Sequence, residues 1–258
     1  MPAAPADDAR HNPGAVTLRS TIATPDGKRR YVRGLFATIA DRYDFITRAL
    51  SYGQDRRWKA RLIALASITS RDRVLDLACG TGDLTFAAEA AAAEEAGTVV
   101  GLDLTPRMLQ LALRRRGDAS RAAFVCGDML SLPFPAGSFD VVTTGYGLRN
   151  VPDLRGALRE IRRVLVPGGR VLSLDFNRPE QPAIRAAYLA YLTVVGGALG
   201  LALHRDADTY RYIPESIRLY PGARGVAAML VEEGFGGVRV ELLLGGLMAI
   251  HVAKVPEV

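Results

Sequence analysis

The chain is short of the residues that would give it an obvious chemistry. It has two cysteines in 258 residues, too few for a disulfide scaffold. Cys79 and Cys126 fall at the ends of two predicted strands with a third strand between them. At about 4.8 Å per strand the thiols would stand roughly 10 Å apart, beyond bridging, and free thiols fit a reducing compartment. Histidine occurs three times, and no His, Cys, Asp or Glu cluster has metal-ligand spacing, so no metal is expected. The G-x-S-x-G nucleophile elbow is missing. The formal charge is +6, yet no dense basic run alternates with aromatics, so nucleic acid is not an expected partner. The densest run, Arg114-Arg115-Arg116, sits at a helix end, where cations offset the dipole. Of the 33 basic residues only three are lysine. That bias is mainly compositional, although a mild basic excess favours an anionic membrane surface. The N-terminus has no charged start followed by an apolar stretch, so no secretory signal is visible and a cytoplasmic protein is expected.

What is present centres on Val74–Thr85, VLDLACGTGDLT. An apolar run passes through Asp76 into Gly80, Thr81 and Gly82, and an Ala-rich helical pattern follows. This is a strand, a tight turn and a helix start. The glycines let a ligand approach the main chain, and the helix presents unpaired N–H groups at its positive end. A third glycine three residues on is absent, because Thr85 stands there. The dinucleotide fingerprint is therefore incomplete, and a plain turn remains the competing reading. A second strand, Thr98–Leu102, ends at Asp103, roughly 20 residues beyond the turn, the offset at which an acid accepts from ribose hydroxyls. A third, Ala123–Cys126, runs into Gly127, Asp128 and Met129. Acids and glycines at three strand ends suggest a nucleoside site at one edge of a parallel sheet.

The remaining chain follows the same plan. Strands are predicted at Val74–Ala78, Thr98–Leu102, Ala123–Cys126, Phe139–Thr144 and Arg170–Asp175. Helices are predicted near Asp83–Glu95, Pro106–Arg115 and Asp153–Leu165, with Pro167-Gly168-Gly169 turning into the fifth strand. Such alternation implies a parallel sheet with helices on both faces. Val238–Leu244 and Leu247–Lys254 about Gly245-Gly246 read as a β-hairpin. Residues 1–28 are rich in Pro, Ala and Asp without periodicity and are expected to form a flexible tail. A domain then spans 29–258. Its N-terminal helices, at 29–70, are read as Val32–Leu50 and Asp55–Ala66.

An insertion at 177–221 carries the most apolar stretch, Ala186–Leu203. Its length just reaches that of a spanning helix. The flanking Arg185, His204 and Arg205, the internal Tyr188, Tyr191 and Thr193, and the Gly196-Gly197 pair argue against a span. A lid over an apolar pocket, a shallow membrane contact, or both are the readings kept. Leu199 and Leu203 are the expected contact positions.

The stretches LDLACGTGDLT, GLDLTPRML, FVCGDMLSLPFP and FDVVTTGYGLRNV together resemble the class I S-adenosylmethionine-dependent methyltransferases. GLRNV with RVLVPGGRVLSLDFNRP, YDFITRALSYGQDRRW, DADTYRYIPESIR and GGLMAIH look like the ubiquinone/menaquinone-biosynthesis C-methyltransferases, over roughly Gly34–Lys254. The resemblance implies a Rossmann-like α/β fold, with a seven-stranded sheet in the order 3-2-1-4-5-7-6 and the last strand antiparallel. It implies S-adenosylmethionine as cofactor and a polyprenyl quinol as acceptor, with peripheral contact to membrane lipid on the inner face of the cell membrane. The cofactor would be held by Gly80, Thr81 and Gly82 at the methionine portion, Asp76 at the amino group, Asp103 at the ribose, Asp128 and Met129 at the adenine, and Gly145. For Asp128 the competing role is a helix cap.

Methylating a quinol carbon calls for a cation or donor at the forming phenolate. Arg149 with Asn150 follows the fourth strand directly, and Arg149 is the expected oxyanion partner. Its structural alternative is a pairing with Asp153 or Asp44. Tyr43, with Asp44 and Trp58, is implied at the substrate pocket. His251 reads as a packed strand histidine rather than a base, and His204 borders the insertion. The chain departs from the family pattern at Thr47 for a usual Asn, Asp55 for a usual His, and Asp175 for a usual Glu. Asp55 could cap the second helix. Demethylmenaquinol is the favoured acceptor. A demethoxyubiquinol-type ring, another lipophilic acceptor on the same fold, or a non-catalytic cofactor- or lipid-binding regulator are the alternatives.

Overall fold

The computed structural model describes residues 18–92 and 97–257. It opens with two helices, α1 (Leu18–Ile22) and α2 (Pro25–Ile39). Thr24 is extended, its hydroxyl accepts from the Gly27 N–H at 3.2 Å, and Pro25 occupies the first helical turn. This corrects the expected tail over residues 18–28. The cap starts a helix there, and Ile22 and Val32 bury themselves against Tyr212. The rest of the expected tail, residues 1–17, lies outside the described residues. The single helix expected over 32–50 is also two. A 3-10 turn at Ala40–Arg42 separates α2 from α3 (Tyr43–Leu50), and α4 (Asp55–Ala66) follows.

The core then alternates: β1 (Val74–Leu77), α5 (Asp83–Ala91), β2 (Val99–Asp103), α6 (Pro106–Arg115), β3 (Ala123–Cys126), β4 (Phe139–Gly145), α7 (Leu154–Val164) and β5 (Leu165–Phe176). The insertion forms α8 (Pro182–His204) and α9 (Tyr212–Leu219), and α10 (Gly222–Glu232) leads to the hairpin β6 (Gly236–Leu243) and β7 (Met248–Lys254). The sheet order is β3-β2-β1-β4-β5-β7-β6, with β7 antiparallel to both neighbours, as the resemblance implied. The hairpin turn runs through three positive φ values, +50° at Leu244, +61° at Gly245 and +90° at Gly246, the last two at residues that adopt them freely.

One boundary differs in kind. Pro167-Gly168-Gly169 does not end a helix. α7 stops at Val164, and β5 already pairs at Leu165. The strand then kinks at Gly168, φ +75°, so that pairing with β4 jumps from Phe139↔Leu165 to Val141↔Arg170.

Side-chain alternation along β1 divides the core. Leu75 and Leu77 pack with Leu158 and Ile161 of α7. Val74 packs on the other face with Trp58 and Leu62 of α4 and Ala88 of α5. The chain winds outward from β1 to β3 and returns through β4 on the other side of β1. The carboxyl ends of β1 and β4 therefore flank the point where the order reverses, where open α/β sheets bind ligands.

Candidate active site

Two cavities meet at that edge, each enclosing about 740 Å³ with open solvent at the mouth included. The first lies over the strand ends. Its floor includes Ala78, Gly80, Asp103, Asp128, Met129, Gly145 and Asn150, and its roof is Arg29, Val32 and Phe36 of α2. The second is apolar and aromatic, with Ile39, Leu50, Trp58, Phe176, Tyr188, Tyr210 and Tyr212 among its walls and Arg149 as its charged group. Phe36, Tyr43 and Tyr146 line both.

The glycine loop works as the pattern suggested at Gly80 and differently at its neighbours. Gly80 has φ +55°, and its N–H donates to Asp103 Oδ2 at 2.9 Å. The other Asp103 oxygen takes the Thr105 N–H at 2.8 Å. Burial pushes the Asp103 carboxyl up, and these two amides pull it back. Each oxygen keeps a lone pair for a ligand hydroxyl. Gly82 lines neither cavity. At φ +89° it starts α5, and a Cβ there would come within 2.7 Å of the Phe86 ring. Thr81 is absent from both walls too. It joins Asp76, Gly80 and Gly145 around a small recess, where its hydroxyl donates to Asp44 and accepts from Arg115, each at 2.8 Å.

Asp76 is fully buried and accepts the hydroxyls of Thr85 at 2.7 Å and Thr143 at 2.9 Å. Burial pushes its carboxyl up to about 7 against those bonds. Asp128 caps a turn rather than a helix, accepting the Leu130 N–H at 2.9 Å, and pairs with Arg29 of the roof at 3.0 Å. Met129 packs between the cavity and the core.

Arg149 is 5 % exposed and faces the apolar cavity. Neither carboxylate of the structural alternative, Asp153 or Asp44, holds it. Asp153 accepts from Gly156 at the start of α7, and Asp44 holds the Thr81 hydroxyl. Its carboxylate is Asp175, which takes Nε at 3.3 Å and the Arg149 N–H at 3.0 Å. Nη1 donates to the Ser216 hydroxyl, and the guanidinium lies 4.9 Å from the Phe176 ring centre. Burial pushes Asp175 up and the Arg149 charge opposes it. These side-chain bonds use Nε and Nη1, so N–H donors remain for an oxygen in the cavity.

Asn150 does not stand beside Arg149 in that space. It lines the first cavity, its Nδ2 donates to the Tyr146 carbonyl at 2.7 Å, and its Oδ1 is buried with no hydrogen-bond partner among the described residues. Tyr43 sits at the junction, and burial raises its hydroxyl to about 12. His251 is packed inside β7 between Ser173 at 3.3 Å and the Ala223 carbonyl at 2.9 Å, and burial holds it below its ordinary value. His204 meets the Tyr210 hydroxyl at 2.7 Å. Asp55 begins α4, but Gln54 is its cap. The Asp55 carboxylate takes the Tyr146 hydroxyl at 2.6 Å and Lys59 at 2.8 Å.

Four contributors were not singled out in the sequence. Asp175 stood out only as a departure, and Ser216 only inside a longer motif. Tyr146 adopts φ +61°, which its residue type does not announce. Lys28 lay in the supposed tail, yet its ammonium donates to the carbonyls of Arg149 at 3.0 Å and Val151 at 2.7 Å. Burial, with the Arg149 charge, lowers Lys28 to about 8.

Comparison with known proteins agrees with this fold. A SAM-dependent methyltransferase of Thermotoga maritima shares the fold at a TM-score of 0.62 and 15% identity, covering 86% of this chain and 99% of that one. A SAM-dependent methyltransferase from Aquifex aeolicus does so at 0.58 and 15%, covering 85% and 98%. A demethylmenaquinone methyltransferase of Thermus thermophilus is 42% identical over 86% of this chain and all of its own. A ubiquinone/menaquinone biosynthesis C-methyltransferase of Methylobacterium nodulans is 42% identical over 88% and 91%. Residues 24–254 match one family along almost the whole described chain, so the protein belongs to the ubiE/COQ5 methyltransferase family.

Proposed function

We infer that the protein methylates a ring carbon of a polyprenyl quinol, demethylmenaquinol in the first instance, using S-adenosylmethionine. The observation that carries this is the junction of the two cavities. A more polar, glycine-floored space meets, at Phe36, Tyr43 and Tyr146, an aromatic one that contains a buried guanidinium. S-adenosylmethionine supplies a methyl group made electrophilic by its sulfonium. The residues fit it: Asn150 Oδ1 is an orphaned acceptor in that wall, Asp103 retains acceptor capacity, and Gly80 leaves the main chain open. We assign Asp103 to the ribose, Asp128 and Met129 to the adenine end, and Gly80, Gly145 and the Asp76 recess to the methionine end. Arg149 holds the acceptor oxygen as a phenolate, which makes the adjacent carbon nucleophilic. The aromatic walls exclude water and orient the ring. Incubating the protein with methyl-labelled cofactor and demethylmenaquinol should place the label on the ring. No label in any quinol would overturn the reading.

We extend the same reading to a membrane surface. α8 is long and apolar enough to cross a bilayer by composition, at a mean hydropathy of 1.8 with 28% of its most apolar window buried. Leu199 and Leu203, the contact positions expected from sequence, instead pack beside Ile46 and Tyr210. The outward residues are Val194, at 71 % exposed, and Leu201. Tyr52 and Leu244, both half-exposed, line the apolar cavity on this side, Tyr52 stacking on Tyr191 of α8 at 5.3 Å. We assign this face to the lipid surface. Val194→Glu with Leu201→Glu should stop flotation with anionic vesicles while a short-tailed quinol is still methylated. Unchanged flotation would sink the assignment.

A further inference from the structure

The quinol reading raises a problem that the established family does not answer for this chain. Methylating an aromatic carbon forms a C–C bond from the ring's electron pair and leaves the C–S pair on sulfur. The ring C–H is exchanged for C–CH3 and both hydroxyls are kept, so one proton per turnover must leave an apolar cavity. Tyr146 lines that cavity and the first one. Its hydroxyl donates at 2.6 Å to Asp55, a residue buried to 6 % exposure that faces the opposite way, into a charged depression. Asp55 Oδ2 is held by Lys59 at 2.8 Å, and Lys59 is held by Asp83 at 2.8 Å.

We propose that Tyr146 and Asp55 are the route by which the proton released on methylation leaves the cavity for solvent, with Tyr146 taking it from the acceptor as it gives its own to Asp55. This rests on the quinol reading. The Tyr146 hydroxyl is suited to pass a proton without ionising, because burial, reinforced by Asp55, holds it well above its ordinary value. Burial alone would push Lys59 down. Asp55 and Asp83 outweigh it and keep the ammonium charged, so a cation stands beside the Asp55 carboxyl. A second cavity tyrosine, Tyr210, reaches His204 at 2.7 Å. It lines only the apolar cavity, whereas Tyr146 stands where the two spaces join.

Asp55 is faced by Tyr43 of α3, Lys59 of its own helix, Asp83 of α5 and Tyr146. Asp44, Arg48, Arg56 and Arg115 surround the depression. Of these, only Tyr146 is changed in the test. Methyl transfer to demethylmenaquinol is measured from pH 5 to 10 for wild type, Asp55→Asn, Asp55→His, Tyr146→Phe and His204→Gln. Wild type should show an acid limb, because a relay that ends on a carboxylate fails once that acceptor carries a proton. A 13C NMR titration of the Asp55 carboxylate in cofactor-free protein should share that midpoint. Asp55→Asn should lower kcat about 100-fold, in the range of a lost general base, and abolish the acid limb, with cofactor affinity kept within threefold. Asp55→His should recover most of kcat with the limb moved upward, toward the imidazole range of about 6.5. His204→Gln should keep the wild-type profile.

If Asp55→Asn does not fold, Asp55→His and Tyr146→Phe decide. The proposal is overturned if Asp55→Asn stays within twofold of wild type. It is also overturned if the acid limb stays put in Asp55→His, if Tyr146→Phe keeps the wild-type rate, or if the limb follows His204. It falls together with the quinol reading if the wild type labels no quinol, so the two failures are distinct.

Discussion

The two cavities are built in opposite ways. The first draws its floor from one stretch of chain, Ala78 to Pro152, in which each strand ends and delivers its glycine or acid to the same edge. The second collects walls from Leu35 to Met248, with contributions from α2, α3, α4, α8, α9 and the hairpin turn. A site made of consecutive strand ends is fixed by the sheet. A site assembled from helices of an N-terminal addition and an insertion depends on how those helices dock. The first should tolerate changes in the helices, and the second should be sensitive to the groups that hold them to the sheet.

The largest expected break in this contrast is Arg149→Lys. The variant keeps a charge beside Asp175 and avoids leaving a buried carboxylate unpaired. It loses the planar fork that reaches Asp175 and Ser216 and, on the proposed reading, a substrate oxygen together. We predict a fall in kcat of about 100-fold or more with S-adenosylmethionine affinity within threefold, read by steady-state kinetics and calorimetry. A parallel loss of cofactor affinity would show that the two cavities are one unit. Next is Asp103→Ala, which should weaken cofactor binding tenfold to a hundredfold, about 1.5–3 kcal/mol. Calorimetric titration decides it, and equal affinity would remove Asp103 from the site.

A smaller effect concerns pH. The Asp76 carboxyl is held at about 7, above its unfolded value. The fold therefore favours its protonated form, and the stability this contributes is present in acid and lost as pH rises through about 7. If Asp76 holds the cofactor's cationic amino group, affinity should rise between pH 6 and 8 by up to about tenfold as the carboxylate appears. Asp76→Asn should flatten that rise, and a rise that survives in Asp76→Asn would assign it elsewhere.

The smallest effect is that of Lys28→Met. Its two donors brace the turn that carries Arg149 and are worth about 1 kcal/mol in all, so kcat/KM should fall about two- to fivefold. Folding lowers Lys28 to about 8. Between about pH 8 and its ordinary value near 10.5 the unfolded chain holds a proton that the folded one has released, and stability rises with pH. The variant should lose that rise in urea titrations.

The same contrast explains what the sequence made legible. Asp103, Asp128 and Gly145 end apolar runs, and Arg149 follows one, so strand periodicity placed all of them at one edge. The Arg149–Asp175 pair depends on the register Gly145↔Leu174 between β4 and β5. That register sets the end of β5 beside the turn carrying Arg149, and it in turn depends on the kink at Gly168, so local patterning does not contain it. Lys28 was lost in a composition typical of tails, because one Thr24 cap and two buried aliphatics outweigh several residues of Pro and Asp. The outward face of α8 was missed by half a turn. An apolar helix with small residues all round carries almost no periodic signal to say which side is covered.

The roof over the first cavity has a kinetic meaning. Arg29 of α2 is paired with Asp128 at 3.0 Å across the space where we place the adenine. The apolar cavity has Tyr52 and Leu244 as exposed lining residues. On the proposed reading, cofactor and quinol enter by separate doors, one to water and one to lipid. Spent cofactor can then exchange with water while the protein stays seated on the bilayer and takes its next quinol laterally. Such an enzyme has no compulsory order of substrate addition, and its quinol arrives by diffusion in two dimensions rather than by return to the membrane.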